Sequence, residues 1–256
     1  MHETAVHDDW DQHWLGIADC TSRNPAPAMR RRLVRALLGI GRGPARILDI
    51  GCGQGDMLAD LRRHHPQAEV CGTDFSRYGI EVARGKVASA RFFQRDLTAP
   101  GDPEPEWVRW ATHAVCSEVL EHVDDPVGLL VNARGYLARG CRLVVTVPGG
   151  PMSRLDSHIG HRRHYTPASL REELVAAGFE VERATGAGFP FFNLFRALVV
   201  LRGDRIVSDA DGGGTGAPSL LARIAMGVFT PLLATPMPSN RLGWQVVGVA
   251  RVPETG

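Results

Sequence analysis

Residues 47–55 read Ile-Leu-Asp-Ile-Gly-Cys-Gly-Gln-Gly, and this segment constrains the fold more than any other. Ala45 to Ile50 is a short apolar run that ends in glycines, which reads as a buried strand. Gly55 to His64 then carries helical spacing, with Asp56 near its start. A buried strand passing through a glycine turn into a helix is the opening unit of a sheet whose ligand lies close to backbone.

The rest of the chain repeats the alternation. Glu69–Thr73, Arg91–Gln94, Thr112–Cys116 and Cys141–Val147 read as strands. Ser76–Val87 reads as a helix, and so does Pro126–Leu137, with a stop near Gly140. Thr166-Pro167 opens another helix, since threonine caps free amides and proline suits a first turn; Gly178 ends it. Phe179–Ala184 and Trp244–Val252 supply the last strands. This order predicts an α/β, Rossmann-like, doubly wound parallel sheet in a single domain. A helical cap is expected over residues 1–43 and the cofactor-binding core over 44–185 and 242–254. Residues 186–241 form an insertion with two apolar helical patterns, Phe191 to Val199 and Leu220 to Leu233.

In such a sheet ligands bind beyond the carboxyl ends of the strands. Three acids follow three successive strand ends. Asp49 precedes the first glycine and would face a cationic amino group. Asp74 can accept from ribose hydroxyls, and Asp96 from an adenine amino group. With Glu118 and Glu121 the mouth is acidic, which suits an ammonium and a sulfonium and disfavours phosphates. Any one of these acids could instead cap a loop. An NAD-dependent oxidoreductase is the alternative enzyme, but Asp49 and the GxGxG spacing argue against it.

The runs ILDIGCGQG, GTDFS, RDL and SEVLEHVDDP together resemble class I S-adenosylmethionine-dependent methyltransferases of small molecules. The subgroup they look most like includes the ubiquinone-biosynthesis O-methyltransferases. The resemblance covers roughly residues 30–185 and the final strand. It implies a seven-stranded sheet with the last strand antiparallel, and S-adenosyl-L-methionine as cofactor. It implies that Asp49, Gly51, Cys52, Gly53, Gly55, Asp74, Phe75, Asp96 and Leu97 line that cofactor. Ser117 and Glu118 fall where the family contacts the methionine part or the substrate.

Methyl transfer requires a nucleophile held in line with the methyl carbon, and a base where that nucleophile carries a proton. Glu121-His122 lies after the fourth strand, and His161 lies in the segment Asp156 to Tyr165, which resembles a G-H-x-R-x-Y pattern of this group. These three are the catalytic candidates, although each histidine could equally pin a loop. Trp14, His158, Arg162, Tyr165, Phe189 and Phe192 are candidate substrate contacts. The insertion reads equally as a lid or as extra core or a homodimer face; shallow membrane contact is a third option, against which Arg223 and Pro231 interrupt the second helical pattern. His158, His161 and His164 recur every third residue, but no ligand set at characteristic spacing accompanies them, so no metal is expected.

Bulk properties narrow the function. The formal net charge is +1, and Ser117-Glu118-Val119-Leu120 is unlike the Asn/Asp-Pro-Pro-Tyr of nucleobase methylating enzymes. A nucleic-acid substrate is therefore not expected. The five cysteines form no CxxC pair, and no apolar run is long enough to span a membrane. A cytoplasmic protein is expected. The reading that results is methyl transfer to an oxygen or nitrogen of a small, partly apolar, aromatic metabolite. A catalytically silent cofactor-binding relative is the competing reading.

Overall fold

The computed structural model describes residues 24–41, 43–211, 220–234 and 240–254. The expected helix around Trp10 and Trp14 lies outside them. The first element is α1 (Pro25–Leu38), capped by the Asn24 side chain at Ala26 N, 2.9 Å, and closed by Gly39 in the left-handed region. The chain continues through β1 (Arg46–Ile50), α2 (Asp56–His64), β2 (Glu69–Asp74), α3 (Arg77–Lys86), β3 (Arg91–Gln94) and β4 (Ala111–Ser117). Then come α4 (Pro126–Arg134), β5 (Leu137–Pro148), the five-residue α5 (Arg154–His158), α6 (Pro167–Ala176) and β6 (Glu180–Ala187). The insertion contributes α7 (Phe191–Asp211) and α8 (Leu220–Ala234), and β7 (Gln245–Arg251) follows.

The seven strands stand in the order β3-β2-β1-β4-β5-β7-β6. β1 to β5 pair in parallel, and β7 runs antiparallel to both β5 and β6. Strand order reverses at β1, between β2 and β4, which places a crevice beyond its carboxyl end. Alternating side chains cover the two faces. Leu48, Ile50, Ala114, Cys116, Leu143 and Val145 pack against α4 and α6 residues such as Leu129, Leu130, Leu170 and Leu174. Ile47, Val115 and Val144 face Val34 and Leu38 of α1, Leu58 and Leu61 of α2, and Ile80 of α3. Burying one such leucine contributes about 1.5–3 kcal/mol.

Two boundaries differ from expectation. Helix α4 stops at Gly135 rather than near Gly140. Tyr136 enters the core instead, stacked on Phe93 with ring centroids 5.3 Å apart, and Gly140 sits inside β5 at φ 69°. Strand β5 thereby starts four residues early and pairs Leu137 with Ala111 across an irregular register. The insertion supplies a third core: Phe192, Phe195, Phe229 and Leu233 bury themselves with Ala26 and Met29 of α1. Among the described residues, no helix is long and apolar enough to cross a membrane.

Candidate active site

β1 delivers the chain into the turn at Gly51, where φ is 71°; Gly53 and Gly55 are also positive, at 48° and 78°. A Cβ on Gly51 would strike Val119 Cγ2, so glycine lets the turn press against the segment after β4. Asp74 fastens the turn to β2. Its Oδ2 accepts from Gly53 N at 2.8 Å and its Oδ1 from Ser76 N at 2.9 Å. Cys52 gives the turn its backbone only, since its thiol is buried and a Cβ on Gly72 would meet Sγ at 2.7 Å.

Asp49 is 2% exposed. Burial pushes its carboxyl up to about 8, and among the described residues the charges of Asp74 and then Asp56 push the same way. A buried acid surrounded by acids fits a cationic ligand group and repels phosphate. At the end of β3, the Asp96 carboxylate accepts from Thr98 N at 2.8 Å and Thr98 Oγ1 at 2.6 Å. Phe75 is half-buried, and its carbonyl accepts from Gln94 Nε2 at 2.8 Å. Leu97 lies in the core under this edge.

Beyond β4 the chain is strained and polar. Glu118 adopts φ 58°, a conformation that side chains other than glycine enter at a cost of about 1 kcal/mol or more. Its carboxylate accepts from Gln245 Nε2 of β7 at 2.9 Å and Thr146 Oγ1 of β5 at 3.3 Å, and it pairs with Arg30 of α1 at 3.3 Å. Ser117 Oγ lies 2.8 Å from Thr146 Oγ1. Glu118 is thus held among α1, β5 and β7. Sequence reading missed Arg30, Thr146 and Gln245; the one signal was a lone amide opening the apolar run of β7.

Glu121 and His122 follow on a short 3-10 turn, Leu120–His122. Glu121 is fully buried, and neither carboxylate oxygen has a hydrogen-bond partner among the described residues. Burial and the neighbouring Glu118 hold its carboxyl well above the usual range. His161, forty residues on, comes to the same place because Arg162 N donates to Glu121 O at 2.8 Å. The His122 and His161 rings meet edge to face, centroids 4.7 Å apart. Burial pushes His161 down to about 4, so it is neutral at pH 7. This cluster adjoins the glycine turn: the Cys116 thiol between them is raised by burial, then by Glu121, then by Asp49.

The expected substrate contacts divide. His158 is exposed on α5. Arg162 is exposed and pairs with Asp124. Phe189 is 39% exposed. Tyr165 is not on a surface: it is 3% exposed and its hydroxyl donates to Leu120 O at 3.3 Å, which makes it a strut under the 3-10 turn. Phe192, also expected to line the substrate, is 3% exposed and packs on α1. Helical periodicity identifies an apolar face without saying what that face meets. Trp14 lies outside the described residues. Asp156 and Arg196 were not anticipated. Asp156 is fully buried, takes bonds from Ser153 N and Oγ at 2.7 Å each, and pairs with Arg196 of α7 at 2.9 Å.

A mainly parallel sheet reversing at β1, with a glycine turn there and acids at three strand ends, is the architecture of a nucleoside-binding α/β domain, and its acidity suits a ligand that carries positive charge. The match to a family model, described as a methyltransferase domain, spans residues 23–184. The chain belongs to that family, the class I S-adenosylmethionine-dependent methyltransferase domains, and its cofactor is S-adenosylmethionine. A trans-aconitate 2-methyltransferase of Methylobacterium nodulans is 29% identical over 55% of this chain and 50% of its own length. A ubiquinone biosynthesis O-methyltransferase of Alkalilimnicola ehrlichii is 29% identical over 62% of this chain and 64% of its own. The chain thus spans between half and just under two thirds of those two relatives. Among solved structures, phosphoethanolamine N-methyltransferase 2 of Haemonchus contortus, in complex with S-adenosyl-L-methionine, superposes with a TM-score of 0.58. It is 16% identical, over 88% of this chain and 52% of that one, and shows the shared fold.

Proposed function

We propose that this chain transfers a methyl group from S-adenosylmethionine to an oxygen or nitrogen of a small, partly apolar, aromatic metabolite. The observation that carries the reading is the adjacency of two unlike sites at the ends of β1 and β4. One is Asp49, a buried acid whose charged neighbours among the described residues are the acids Asp74 and Asp56. The other is the Glu121, His122 and His161 cluster. In this reading Asp49 takes the cofactor's ammonium, Gly51, Gly53 and Gly55 let backbone approach it, and Asp74 accepts from the ribose. Phe75, Asp96 and Leu97 border the adenine, with Ser117 and Glu118 on the acceptor side.

The sulfonium, when bound, supplies the driving force for methyl transfer. The protein's own part is alignment, worth several kcal/mol, and handling of the acceptor's proton. A phenol, with pKa near 10, is mostly protonated at pH 7. His161 is neutral there and can take that proton. His158 and Arg162, exposed after β5, and Phe189, exposed after β6, are assigned to the acceptor in this reading. Oxygen is placed first because the ubiquinone relative is by name an O-methyltransferase.

The test is calorimetry with S-adenosylhomocysteine and with NAD, followed by methyl transfer to a panel of phenols, amines and carboxylates. Binding of S-adenosylhomocysteine with turnover on a phenol or amine is expected. Binding with no turnover across the panel would leave the silent relative standing, and tight NAD binding alone would end the proposal.

A further inference from the structure

Two observations around Glu121 go beyond a base for the acceptor. The first is proximity: one carboxylate oxygen of Glu121 and one ring nitrogen each of His122 and His161 all lie within 4.8 Å of one another. The second is the direction of the lone pairs. His122 Nδ1 lies 3.2 Å from Gly160 O. A carbonyl only accepts, so Nδ1 carries the proton and Nε2 keeps the lone pair. That Nε2 stands 3.9 Å from Glu121 Oε1.

The same logic runs through the next histidines. His164 Nδ1 lies 3.1 Å from Gly150 O and so is a donor, leaving its Nε2 as an acceptor. His161 Nδ1, 3.3 Å from that Nε2, is then the donor, and Nε2 of His161 keeps its lone pair. Each imidazole is therefore held by a bond at Nδ1 to backbone or to another ring, the arrangement that orients a ligating histidine. The Glu121 carboxylate, whose oxygens have no hydrogen-bond partner among the described residues, and one nitrogen from each of the two imidazoles share one place.

We propose that Glu121, His122 and His161 form a binding site for a divalent transition-metal ion, facing the acceptor side of the cofactor turn. Two nitrogens and one carboxylate oxygen select ions such as Zn2+ or Mn2+ over Mg2+ or Ca2+. Ligand atoms on one such ion stand about 3 Å apart, at bonds of about 2.0–2.2 Å, so small side-chain rotations close the site. Three protein ligands, counted among the described residues, leave coordination positions open, as in catalytic rather than structural sites. An acceptor hydroxyl bound there would lose its proton more readily, as metal-bound water does. That last role rests on the methyltransferase reading above; the site itself does not. The neighbouring Asp156, His161 and His164 group is the poorer candidate, because Arg196 and Ser153 already occupy Asp156.

The experiment uses the full chain dialysed against EDTA and then buffer, titrated with ZnCl2 and with MnCl2. One of the two should bind one ion per chain with micromolar or tighter affinity. His122→Ala and Glu121→Gln should each weaken it at least about tenfold, with S-adenosylhomocysteine affinity and melting temperature kept as evidence of folding. His64→Ala, on the surface of α2, should bind as the parent does. No ion bound below about 1 mM would overturn the proposal, as would unchanged affinity in His122→Ala. Loss of binding in Asp156→Asn but not in His122→Ala would overturn the assignment to these residues. Turnover on the acceptor panel, with EDTA and with metal restored, separates the two readings. Metal bound without any methyl transfer counts against the function, and transfer by a chain that binds no metal counts against the site.

Discussion

Asp49→Asn separates what the cofactor site costs the protein from what it does for the ligand. The Asp49 carboxyl is pushed from 3.8 up to about 8 by burial, with Asp74 and then Asp56 adding to it. A folded pKa above the unfolded one means that folding favours the protonated acid. That contribution is fully present below about pH 4 and is lost as pH rises towards 8, at about 1.4 kcal/mol per unit. At pH 7 the loss reaches about 4 kcal/mol as an upper bound. Asparagine does not ionise, so the variant without cofactor should be more stable at pH 7, by up to roughly 10 °C in Tm. Its stability should also vary less between pH 5 and 8. Cofactor binding should move the other way. An ammonium beside Asp49 needs the ionised acid, so the parent should bind S-adenosylhomocysteine about tenfold more weakly for each unit below pH 7.5. The variant should bind weakly, with little pH dependence. Calorimetry and thermal melts across pH 5.5–7.5 give both readouts. A variant with parental stability and parental affinity would refute the assignment of Asp49 to a cationic ligand group.

Three further outcomes are expected. Gly51→Ala combines a strained φ with a collision at Val119, so it should lower stability by about 1–3 kcal/mol and weaken S-adenosylhomocysteine binding; urea unfolding and calorimetry check this. Arg196→Met leaves Asp156 buried with its ion pair broken and should cost about 3 kcal/mol in urea unfolding. Burial raises the Asp156 carboxyl, but the Ser153 hydroxyl and Arg196 together hold it below 3.8. Its stabilisation is therefore present above about pH 4 and lost in acid, and the Arg196→Met penalty should shrink as pH falls below that. Tyr165→Phe should cost about 1 kcal/mol of stability with KM for the acceptor unchanged, since its hydroxyl serves Leu120 O; a large KM change would return Tyr165 to the substrate surface.

What was legible in the sequence is what neighbours along the chain decide. The sheet, the glycine turn and the acids at Asp49, Asp74 and Asp96 each follow from one strand and the loop after it. A continuous apolar run fixes the burial of β1, and glycine tolerance fixes the turn. What was hidden depends on elements meeting from afar. Glu118 is an acid after a strand in the sequence. In the fold it is tied by Arg30, Thr146 and Gln245 from three other elements, and nothing local announces its left-handed backbone. The aromatic pattern around Phe192 was equally visible and equally mute, because it meets α1.

The histidines show the same limit in its sharpest form. Spacing along the chain groups His158, His161 and His164, and on that grouping no ligand set presents itself. The fold regroups them. His158 turns outward on α5, while His161 crosses to His122 through the bond between Arg162 N and Glu121 O. Glu121 and His122 stand on a turn after β4, and β4 and β5 are neighbours, so the loop after β5 falls beside that turn by topology. His164 stays behind as the acceptor that fixes the tautomer of His161. Chemistry that needs three side chains in one place is thus assembled by strand order rather than by sequence period, from two loops that follow adjacent strands of the sheet.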